Sequence, residues 1–363
     1  MSHSDDSLDG LREQIDAVDE RLLELISQRA ELASRVAGIK RQEGDEHCFY
    51  RPEREAQILR AVIDKNSGPL SGEEMARLFR EIMSACLALE KPLNIAYLGP
   101  EGTFTQAAAL KHFGHSVTTR SLANIDEVFR EVESGDCDYG VVPVENSTEG
   151  VINYTLDLFI YSPLHICGEV ELRIHHHLLA APGQALDGIE RIYAHQQALS
   201  QCRRWLDSEL PEVERVPVNS NAEAARRVAA EPGTVAIAGE AAAEFYGLEI
   251  LARSIEDEPD NTTRFLIIGA QDTPPSGDDK TTLLFTTPNR SGALYQMLAA
   301  FAEREISMTR IESRPSRRGM WDYVFFVDVQ GHHQDPDLAA ALAALQERAS
   351  MVKLLGSYPR AVL

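Results

Sequence analysis

Residues 8–42 read LDGLREQIDAVDERLLELISQRAELASRVAGIKRQ and contain no proline. Their apolar side chains recur close to the helical period of 3.6 residues, which predicts one long amphipathic helix. At 1.5 Å of rise per residue such a helix is about 50 Å long, longer than a small domain is wide. We therefore expect it to pack against a second chain, and the predicted arrangement is a helical dimer.

Two shorter helices follow this segment. The second helix begins at Pro52, because proline is tolerated in the first turn of a helix. Ser71 and Glu74 have the spacing of a capping box, which predicts the start of a third helix that ends near Glu90. Residues 1–91 are therefore predicted to form an all-α, three-helix domain.

The pattern changes after Lys91-Pro92. Short β-branched runs such as residues 94–98 and 139–142 alternate with helical stretches such as 222–230. This alternation predicts an α/β fold with mostly parallel sheets. We assign it to a middle domain, residues 93–271.

A second linker contains Pro274-Pro275-Ser276-Gly277 and separates the last part of the chain. Beyond it the pattern reads strand, helix, two strands, helix and strand. This order is typical of an α+β domain of ferredoxin-like type. Residues 280–363 are therefore predicted to form a small domain with a regulatory or assembling role.

The composition is that of an ordinary globular protein. The chain has 35 basic and 57 acidic side chains, a net formal charge of −22, whereas nucleic-acid binding needs a basic surface. Its five scattered cysteines favour reduced thiols and a cytoplasmic location. No segment approaches the ~18 consecutive apolar residues of a membrane span. We expect no nucleic-acid partner, no membrane contact and no secretion.

Two runs of histidine could suggest a metal. His175, His176 and His177 are consecutive, and neighbours on a strand point to opposite faces, so they cannot share one ion. His332 and His333 are expected in a solvated turn. We therefore predict no metal site.

Basic side chains punctuate the apolar stripe of the first helix. Arg29 and Lys40 are 11 residues apart and share a face. Arg12 lies about 25 Å from Arg29 along the axis, so only an antiparallel partner helix could bring an Arg12 back to this site. The cluster suggests a pocket for a small dianion, although such side chains are also commonly solvated. Three further polar residues could join it: Arg54, Glu55 and Glu90.

The first segment resembles the chorismate mutase domain of the all-helical type. The resemblance rests on residues 11–12, 16–23, 29–33, Lys40 and 51–55. The resemblance implies rearrangement of chorismate to prephenate in a helical dimer. This pericyclic reaction needs positioning and electrostatic stabilisation rather than a nucleophile.

The resemblance also implies individual roles in the mutase site. The carboxylates of the substrate are held by Arg12 of the partner chain, Arg29 and Arg54. The ether oxygen is contacted by Lys40 and Glu90, and the hydroxyl is held by Glu55. Relatives often carry glutamine at the position of Glu90, so the working pH of this site is in question.

Polar clusters at three strand ends predict a cleft in the middle domain, with unrelated turns as the alternative. They are residues 97–105, 142–150 and 261–265. Together with 194–195 and 201–202 they resemble prephenate dehydratase. The resemblance implies two α/β lobes around a cleft, like a solute-binding protein, and conversion of prephenate to phenylpyruvate with loss of carbon dioxide and water.

Departure of the ring hydroxyl is the difficult step of that reaction and calls for a donor at the leaving oxygen. The resemblance implies that Thr263 is this donor, and that Asn146, Gln201 and Glu145 shape the site and bind substrate. Arg264 is expected to set the local field. The competing interpretation is that Thr263 is only a β-branched strand residue.

Two short motifs in the last domain resemble the phenylalanine-binding motifs of ACT domains. In such domains the effector binds at a dimer interface and inhibits. The first motif is Gly292, Ala293, Leu294 and Tyr295, and the second is Glu312, Ser313, Arg314 and Pro315.

The three resemblances occur in the order of the bifunctional chorismate mutase/prephenate dehydratase family. L-phenylalanine is the implied allosteric inhibitor, a homodimer or higher homo-oligomer is the implied assembly, and no metal or organic cofactor is implied. Two alternatives are a catalytically dead phenylalanine sensor and a solute-binding receptor, the latter of which would usually carry a signal peptide.

Overall fold

The structure is a computed structural model and describes residues 7–43, 50–287, 290–315 and 323–363. Residues 44–49, which include Cys48, lie outside the described residues. The other four cysteines are buried free thiols. Within the described ranges no helix is long and apolar enough to cross a bilayer.

Three helices form the helical segment, as predicted. They are α1 (Leu8–Glu43), α2 (Pro52–Lys65) and α3 (Gly72–Glu90). The Ser71 hydroxyl accepts a hydrogen bond from the backbone N–H of Glu74 at 3.1 Å, which confirms the predicted cap of α3. Along α1 the apolar stripe is exposed in the single chain, from Leu8 at 65% to Ile39 at 55%.

The middle domain follows the predicted alternation of strands and helices. In chain order its elements are β1 (Asn94–Leu98), α4 (Phe104–Phe113), β2 (Thr118–Leu122), α5 (Ile125–Glu133), β3 (Tyr139–Asn146), β4 (Gly150–Val151), α6 (Asn153–Phe159), β5 (His165–Arg173), β6 (His177–Ala180), β7 (Arg191–His195), α7 (Gln196–Gln201), α8 (Arg203–Glu209), β8 (Glu214–Val218), α9 (Asn221–Val228), β9 (Thr234–Ala238), α10 (Glu240–Tyr246), β10 (Glu249–Ala252) and β11 (Thr262–Gly269).

These elements form two lobes, which confirms the predicted bilobal α/β fold. The first lobe contains the sheet β2-β1-β3-β11-β5, with β4 paired to β3, and the second contains β10-β6-β9-β7-β8. The prediction of mostly parallel sheets is wrong, because in each sheet only two pairings are parallel. The chain leaves the first lobe after β5 and returns along β11, which therefore inserts antiparallel between β3 and β5.

The C-terminal domain has the predicted ferredoxin-like order. Its elements are β12 (Asp279–Thr286), α11 (Ala293–Ala302), β13 (Met308–Pro315), β14 (Tyr323–Gln330), α12 (Pro336–Arg348) and β15 (Met351–Pro359). Its antiparallel sheet has the order β13-β14-β12-β15, which leaves β13 at one edge.

The C-terminal domain packs closely on the first lobe. Val142 and Leu266 of the lobe share one buried cluster with Phe326 and Leu355 of the domain. At Gly356 a side chain would collide with the lobe, because a Cβ atom there would lie 2.2 Å from the carbonyl oxygen of Ile166. The two sheets are therefore in backbone contact.

One predicted turn is instead part of the interior. The side chain of His332 is fully buried, and its Nε2 donates to the carbonyl oxygen of Thr273 at 2.8 Å. The expectation of a solvated turn at His332 and His333 is wrong for His332, because the linker before β12 folds over it. The sequence pattern around this pair contains polar turn residues and gives no sign of that cover.

Candidate active sites

A cleft of about 380 Å³ lies between the two lobes. Thr263, at the start of β11, pairs across the sheet with Asn146, at the end of β3. The side-chain amide of Asn146 donates to the hydroxyl oxygen of Thr263 at 2.8 Å. The second lobe contributes residues such as His195 and Asn221 to the opposite wall. The sheet thus brings two of the predicted residues together on one side of the cleft.

The orientation of the Asn146 amide is fixed by the turn that follows β3. Its Oδ1 accepts backbone N–H bonds from Thr148 and Glu149, each at 3.0 Å. The amide nitrogen must therefore face Thr263 and Asn261, to which it donates at 2.8 Å in both cases. Because the Thr263 oxygen accepts this bond, its own O–H remains available to donate to a group in the cleft.

Gln201, at the end of α7, joins the same network from the second lobe. Its Oε1 accepts hydrogen bonds from His176 Nε2 at 2.9 Å and from Asn261 Nδ2 at 3.3 Å. Burial lowers the pKa of His176, so this ring is neutral at neutral pH. His176 and Asn261 were not among the predicted site residues. Asn261 lies two residues before Thr263, and this spacing places both on one face of a strand, which was a usable signal. The sequence pattern does not distinguish His176 from its two histidine neighbours.

The three histidines of that run have separate partners. His175 Nδ1 lies 2.8 Å from Glu256, His176 contacts Gln201, and His177 Nδ1 accepts from the backbone N–H of Ser254. His175 and His176 lie between β5 and β6 rather than within a strand. The alternation of side chains along a strand therefore does not apply to them, and the three rings are separated by their different partners instead. The described residues hold no group of three or more His, Cys, Asp or Glu side chains placed to bind a metal.

Glu145 and Arg264 do not line the cleft, which corrects the predicted contact of Glu145 with substrate and places Arg264, predicted to set the local field, behind the cleft wall. They are cross-strand partners immediately next to Asn146 and Thr263. Successive side chains of a strand point to opposite faces, so these two turn away from the cleft, towards the C-terminal domain. Arg264 contacts Asp328 there, and Glu145 pairs with Arg310 at 3.1 Å.

A second depression, the helical groove, has a volume of about 710 Å³ and opens between the three helices. It is lined by the predicted residues Arg29, Lys40, Arg54, Glu55 and Glu90. In the single chain Arg12 lies elsewhere, exposed and paired with Asp9 at 3.4 Å.

Glu90 is the last residue of α3 and lies at the edge of the groove. Its carbonyl oxygen accepts a hydrogen bond from Arg41 at 2.7 Å. Burial raises the pKa of its carboxyl group, and the positive charges of Lys40, Arg41 and Arg29 oppose this rise only in part. Glu90 therefore holds its proton to a higher pH than an exposed glutamate does.

Glu55 is held from behind by a residue that the sequence pattern did not indicate. Arg80, on α3, donates to the Glu55 carboxylate at 3.3 Å and to the carbonyl oxygen of Lys111, on α4, at 2.7 Å. Burial raises the pKa of Glu55, and the charge of Arg80 opposes it. Tyr50 also lines the groove, and its hydroxyl lies 3.0 Å from His112 Nε2 on α4. The first lobe thus supports one wall of the helical groove.

The two effector-like motifs lie at the start of α11 and on β13. Gly292 has a φ of 79° and precedes α11, Ala293 is buried, Leu294 packs against the core, and Tyr295 is 77% exposed. On β13 the side chain of Arg314 pairs with Asp157 of α6 at 3.0 Å.

Three family models match the chain in succession. Chorismate mutase type II matches residues 11–91, prephenate dehydratase matches residues 95–273, and the ACT domain matches residues 281–347. The matches follow the order of the three folded units described above.

Relatives and solved structures agree with these matches. The chain is 58% identical over 361 residues to bifunctional chorismate mutase/prephenate dehydratases of Stutzerimonas stutzeri and Pseudomonas aeruginosa, covering 99% of both chains in each case. The prephenate dehydratase of Arthrobacter aurescens in complex with L-Phe superimposes with a TM-score of 0.69 at 36% identity, over 74% of this chain and 90% of that one. The chain therefore belongs to the bifunctional chorismate mutase/prephenate dehydratase family.

Proposed function

We propose that the helical groove converts chorismate to prephenate and that the interlobe cleft converts prephenate to phenylpyruvate, with loss of carbon dioxide and water. One observation carries the proposal: a single chain holds both the basic groove and the Asn146–Thr263 pair. The 58% identity to bifunctional relatives along the whole chain supports it. The proposed units are residues 1–91 for the first reaction, residues 93–271 for the second and residues 280–363 for regulation.

In the groove the substrate breaks an ether C–O bond and forms a C–C bond in one pericyclic step. The protein supplies no nucleophile and acts by holding the reactive conformer and stabilising charge at the ether oxygen. Arg29 and Arg54 bind the two carboxylates, and Lys40 and Glu90 donate to the ether oxygen. Glu55 accepts a hydrogen bond from the substrate hydroxyl.

The groove is completed by a second copy of the chain. The apolar stripe of α1 is exposed from Leu8 to Ile39, far more apolar surface than one helix leaves unpaired in a stable monomer. An antiparallel α1 from a partner would cover the stripe and bring Arg12 of that partner to the end of the groove. A homodimer is therefore the smallest active unit for the first reaction.

In the cleft the leaving group is a ring hydroxyl. Asn146 holds the Thr263 oxygen, so the Thr263 O–H donates a hydrogen bond to the departing hydroxyl, which takes up one proton from solvent and leaves as water while the ring carboxylate leaves as carbon dioxide. Formation of the aromatic ring drives both losses. Asn146 and Gln201 shape the site, and neither step requires a metal or an organic cofactor.

L-phenylalanine is proposed to bind the C-terminal domain at residues 292–295 and 312–315, and to inhibit. Support comes from the ACT match and from the solved relative in complex with L-Phe. The open edge at β13 allows two C-terminal domains to meet beside these motifs. Inhibition requires that the effector bind a less active state more tightly. Buried free thiols are consistent with action in the cytoplasm.

The deciding experiment is an assay of purified protein with chorismate, following prephenate and phenylpyruvate with and without L-phenylalanine. Both products should form, and phenylalanine should suppress the second. A catalytically dead phenylalanine sensor would bind phenylalanine and form neither product.

A further inference from the structure

Six charged side chains of alternating sign lie in a row between the first lobe and the C-terminal domain, and all but the terminal Glu145 are largely buried. Arg264 lies at its centre and donates to Asp328 at 2.5 Å and to Glu169 at 2.8 Å. Lys280 extends the chain on one side through its ion pair with Glu169 at 2.7 Å. We call this set the charge chain; in order its members are Glu145, Arg310, Asp328, Arg264, Glu169 and Lys280.

Glu145 and Arg310 form the other end of the charge chain. Their side chains make an ion pair at 3.1 Å that lacks hydrogen-bond alignment. Arg310 and Asp328 are cross-strand partners, and Arg310 helps Arg264 to lower the pKa of Asp328. Both folded units contribute three members to the charge chain. The first lobe supplies two acidic residues and one basic residue, and the C-terminal domain supplies two basic residues and one acidic residue.

Burial makes the charge chain sensitive to small displacements. Asp328 and Glu169 are 1% and 2% exposed, and Arg264 is 11% exposed. Buried ion pairs add little net stability compared with well-packed apolar residues, but separation of a buried pair is costly. A shift of the C-terminal domain relative to the lobe must therefore either move Arg264 with it or leave buried charges unpaired.

The charge chain is adjacent in sequence to Thr263 and Asn146, the paired residues of the cleft. Arg264 follows Thr263 on β11, and Glu145 precedes Asn146 on β3, with Arg264 and Glu145 paired in register. Each strand thus presents one side chain to the cleft and the next to the C-terminal domain. A backbone movement at either charged residue therefore also moves the neighbour that faces the cleft.

At the Glu145 end the charge chain also reaches the strand of the second effector motif, through Arg310. Arg310 lies two residues before Glu312 on β13, so both side chains occupy the same face. Arg314, two residues further, also contacts the lobe through Asp157. β13 therefore contacts the lobe on one side of the strand and carries the motif residues along its length.

We propose that Glu145 and Arg264 are positioning residues for Asn146 and Thr263, and that the charge chain transmits the state of the C-terminal domain to the dehydratase cleft. The second half of this inference rests on the proposed inhibition by phenylalanine. The first half stands without it, because it concerns the uninhibited reaction.

Arg310→Met is the best test because it cuts the chain at its more exposed end. Glu145 is 38% exposed, so its unpaired carboxylate can reach water and the protein should stay folded. Full-length protein is assayed with prephenate, and phenylalanine binding is measured separately by calorimetry. We expect dehydratase kcat to fall about three- to tenfold with KM within twofold, because misplacement of Thr263 affects the transition state most. The factor by which saturating phenylalanine lowers the dehydratase rate should be at least threefold smaller in Arg310→Met than in the wild type.

Two further variants complete the experiment. Arg310→Lys restores the charge and should recover most of the kcat and of the inhibition. Arg348→Met removes an arginine of the same domain that contacts only the carbonyl oxygen of Gln296 among its described hydrogen bonds, and should change neither. Rates of the mutase reaction in each variant report that the helical domain is folded, and phenylalanine binding reports the same for the C-terminal domain.

Wild-type kcat together with full inhibition in Arg310→Met would overturn the inference. Loss of phenylalanine binding in Arg310→Met would overturn transmission, because the residue would then belong to the effector site. If the wild type itself bound no phenylalanine, the proposed regulation would fail. The positioning role would then be judged by the kcat of Arg310→Met and Arg310→Lys alone.

Discussion

The helical groove and the interlobe cleft differ in the chemical groups that line them and in the reaction step that each is proposed to assist. The groove is lined by charged side chains such as Arg29 and Lys40. One of its proposed substrate-binding residues, Arg12, can come only from a second chain. The cleft is lined by neutral amides and a hydroxyl, joined in one network within a single chain. A dianion that rearranges without acid or base needs charge, whereas a leaving hydroxyl needs an aligned donor. The contrast predicts different responses to substitution.

The largest expected effect is the loss of the cleft donor. Thr263→Ala should lower dehydratase kcat about 10²–10³-fold, the usual cost of removing one preoriented donor to a reacting oxygen. Prephenate formation from chorismate should continue unchanged. Both are measured on the same preparation with each substrate supplied separately.

The control for this experiment is Thr262→Ala. Its hydroxyl donates to the carbonyl oxygen of Asp260 and does not line the cleft, so its rates should match the wild type. Arg29→Ala should show the reverse pattern, with dehydratase intact and mutase reduced. A folded Thr263→Ala protein without mutase activity would show that the two sites are not separable.

The second prediction concerns the origin of Arg12. Arg12→Ala and Arg29→Ala should each lower mutase kcat/KM about 10–100-fold, since a hydrogen bond to a charged group is worth about 1.5–3 kcal/mol. After subunit exchange an equal mixture should regain about a quarter of wild-type activity, because half of the dimers are mixed and each contains one intact site.

Two mixtures serve as controls for the exchange experiment. Arg29→Ala with Arg54→Ala should regain nothing, because both residues come from the same chain as the site. Asn146→Ala with Thr263→Ala should regain no dehydratase activity for the same reason. Absence of recovery in the Arg12 mixture, despite exchange shown by labelled subunits, would place Arg12 outside the groove.

The same contrast explains what the sequence could reveal. Helical periodicity and the Ser71 cap correctly predicted the three helices α1–α3, because both are local features of the sequence. Groove residues on such helices can be grouped by their spacing alone. Strand order could not be read in this way: β11 returns from the other lobe, and no local pattern records its antiparallel pairing.

The errors in the cleft have a more specific origin. The sequence predicts that Glu145 binds substrate beside Asn146 and that Arg264 sets the local field beside Thr263, although neighbours on a strand face opposite ways. That rule was available from the sequence and would have removed one member of each pair. Arg80 was not predictable, because its role depends on a carbonyl oxygen of the first lobe that only the folded chain brings near.

Arg80 offers a third test, because it joins the two regions under comparison. Arg80→Met should raise the KM for chorismate about tenfold with a smaller change in kcat, since the Glu55 contact is made in both ground and transition states. Dehydratase activity should not change. In a Glu55→Gln background the same substitution should cost less than twofold, because Arg80 acts through Glu55.

The matched control for Arg80 is Arg77→Met. Arg77 lies one turn earlier on α3 and pairs with Glu74 at the surface, so its loss should leave KM unchanged. Equal losses from Arg80→Met in the wild-type and Glu55→Gln backgrounds would mean that Arg80 affects the groove by another route.

The smallest expected effect, and the one that most sharpens the difference between charged groove and neutral cleft, is the pH dependence of Glu90. The ether oxygen gains negative charge in the transition state, so its partner must donate a hydrogen bond, and only the protonated carboxyl can do so. Burial raises the pKa of Glu90 above its usual 4.5, although Lys40, Arg41 and Arg29 oppose the rise. Mutase kcat/KM should therefore fall as pH rises through this raised pKa. The fall should begin at a higher pH than it would for an exposed glutamate.

Glu90→Gln places a permanent donor of similar shape at the same position. It should flatten the fall and raise kcat/KM at pH 8 about three- to fivefold, the worth of one neutral hydrogen bond of about 1 kcal/mol. The dehydratase profile serves as the internal control, because Glu90 does not line the cleft and its substitution should leave that curve in place. Mutase profiles are compared from pH 5 to 9 with chorismate well below KM. If the wild-type and Glu90→Gln curves superimpose, Glu90 does not contact the ether oxygen, and Lys40 alone stabilises the charge that forms there.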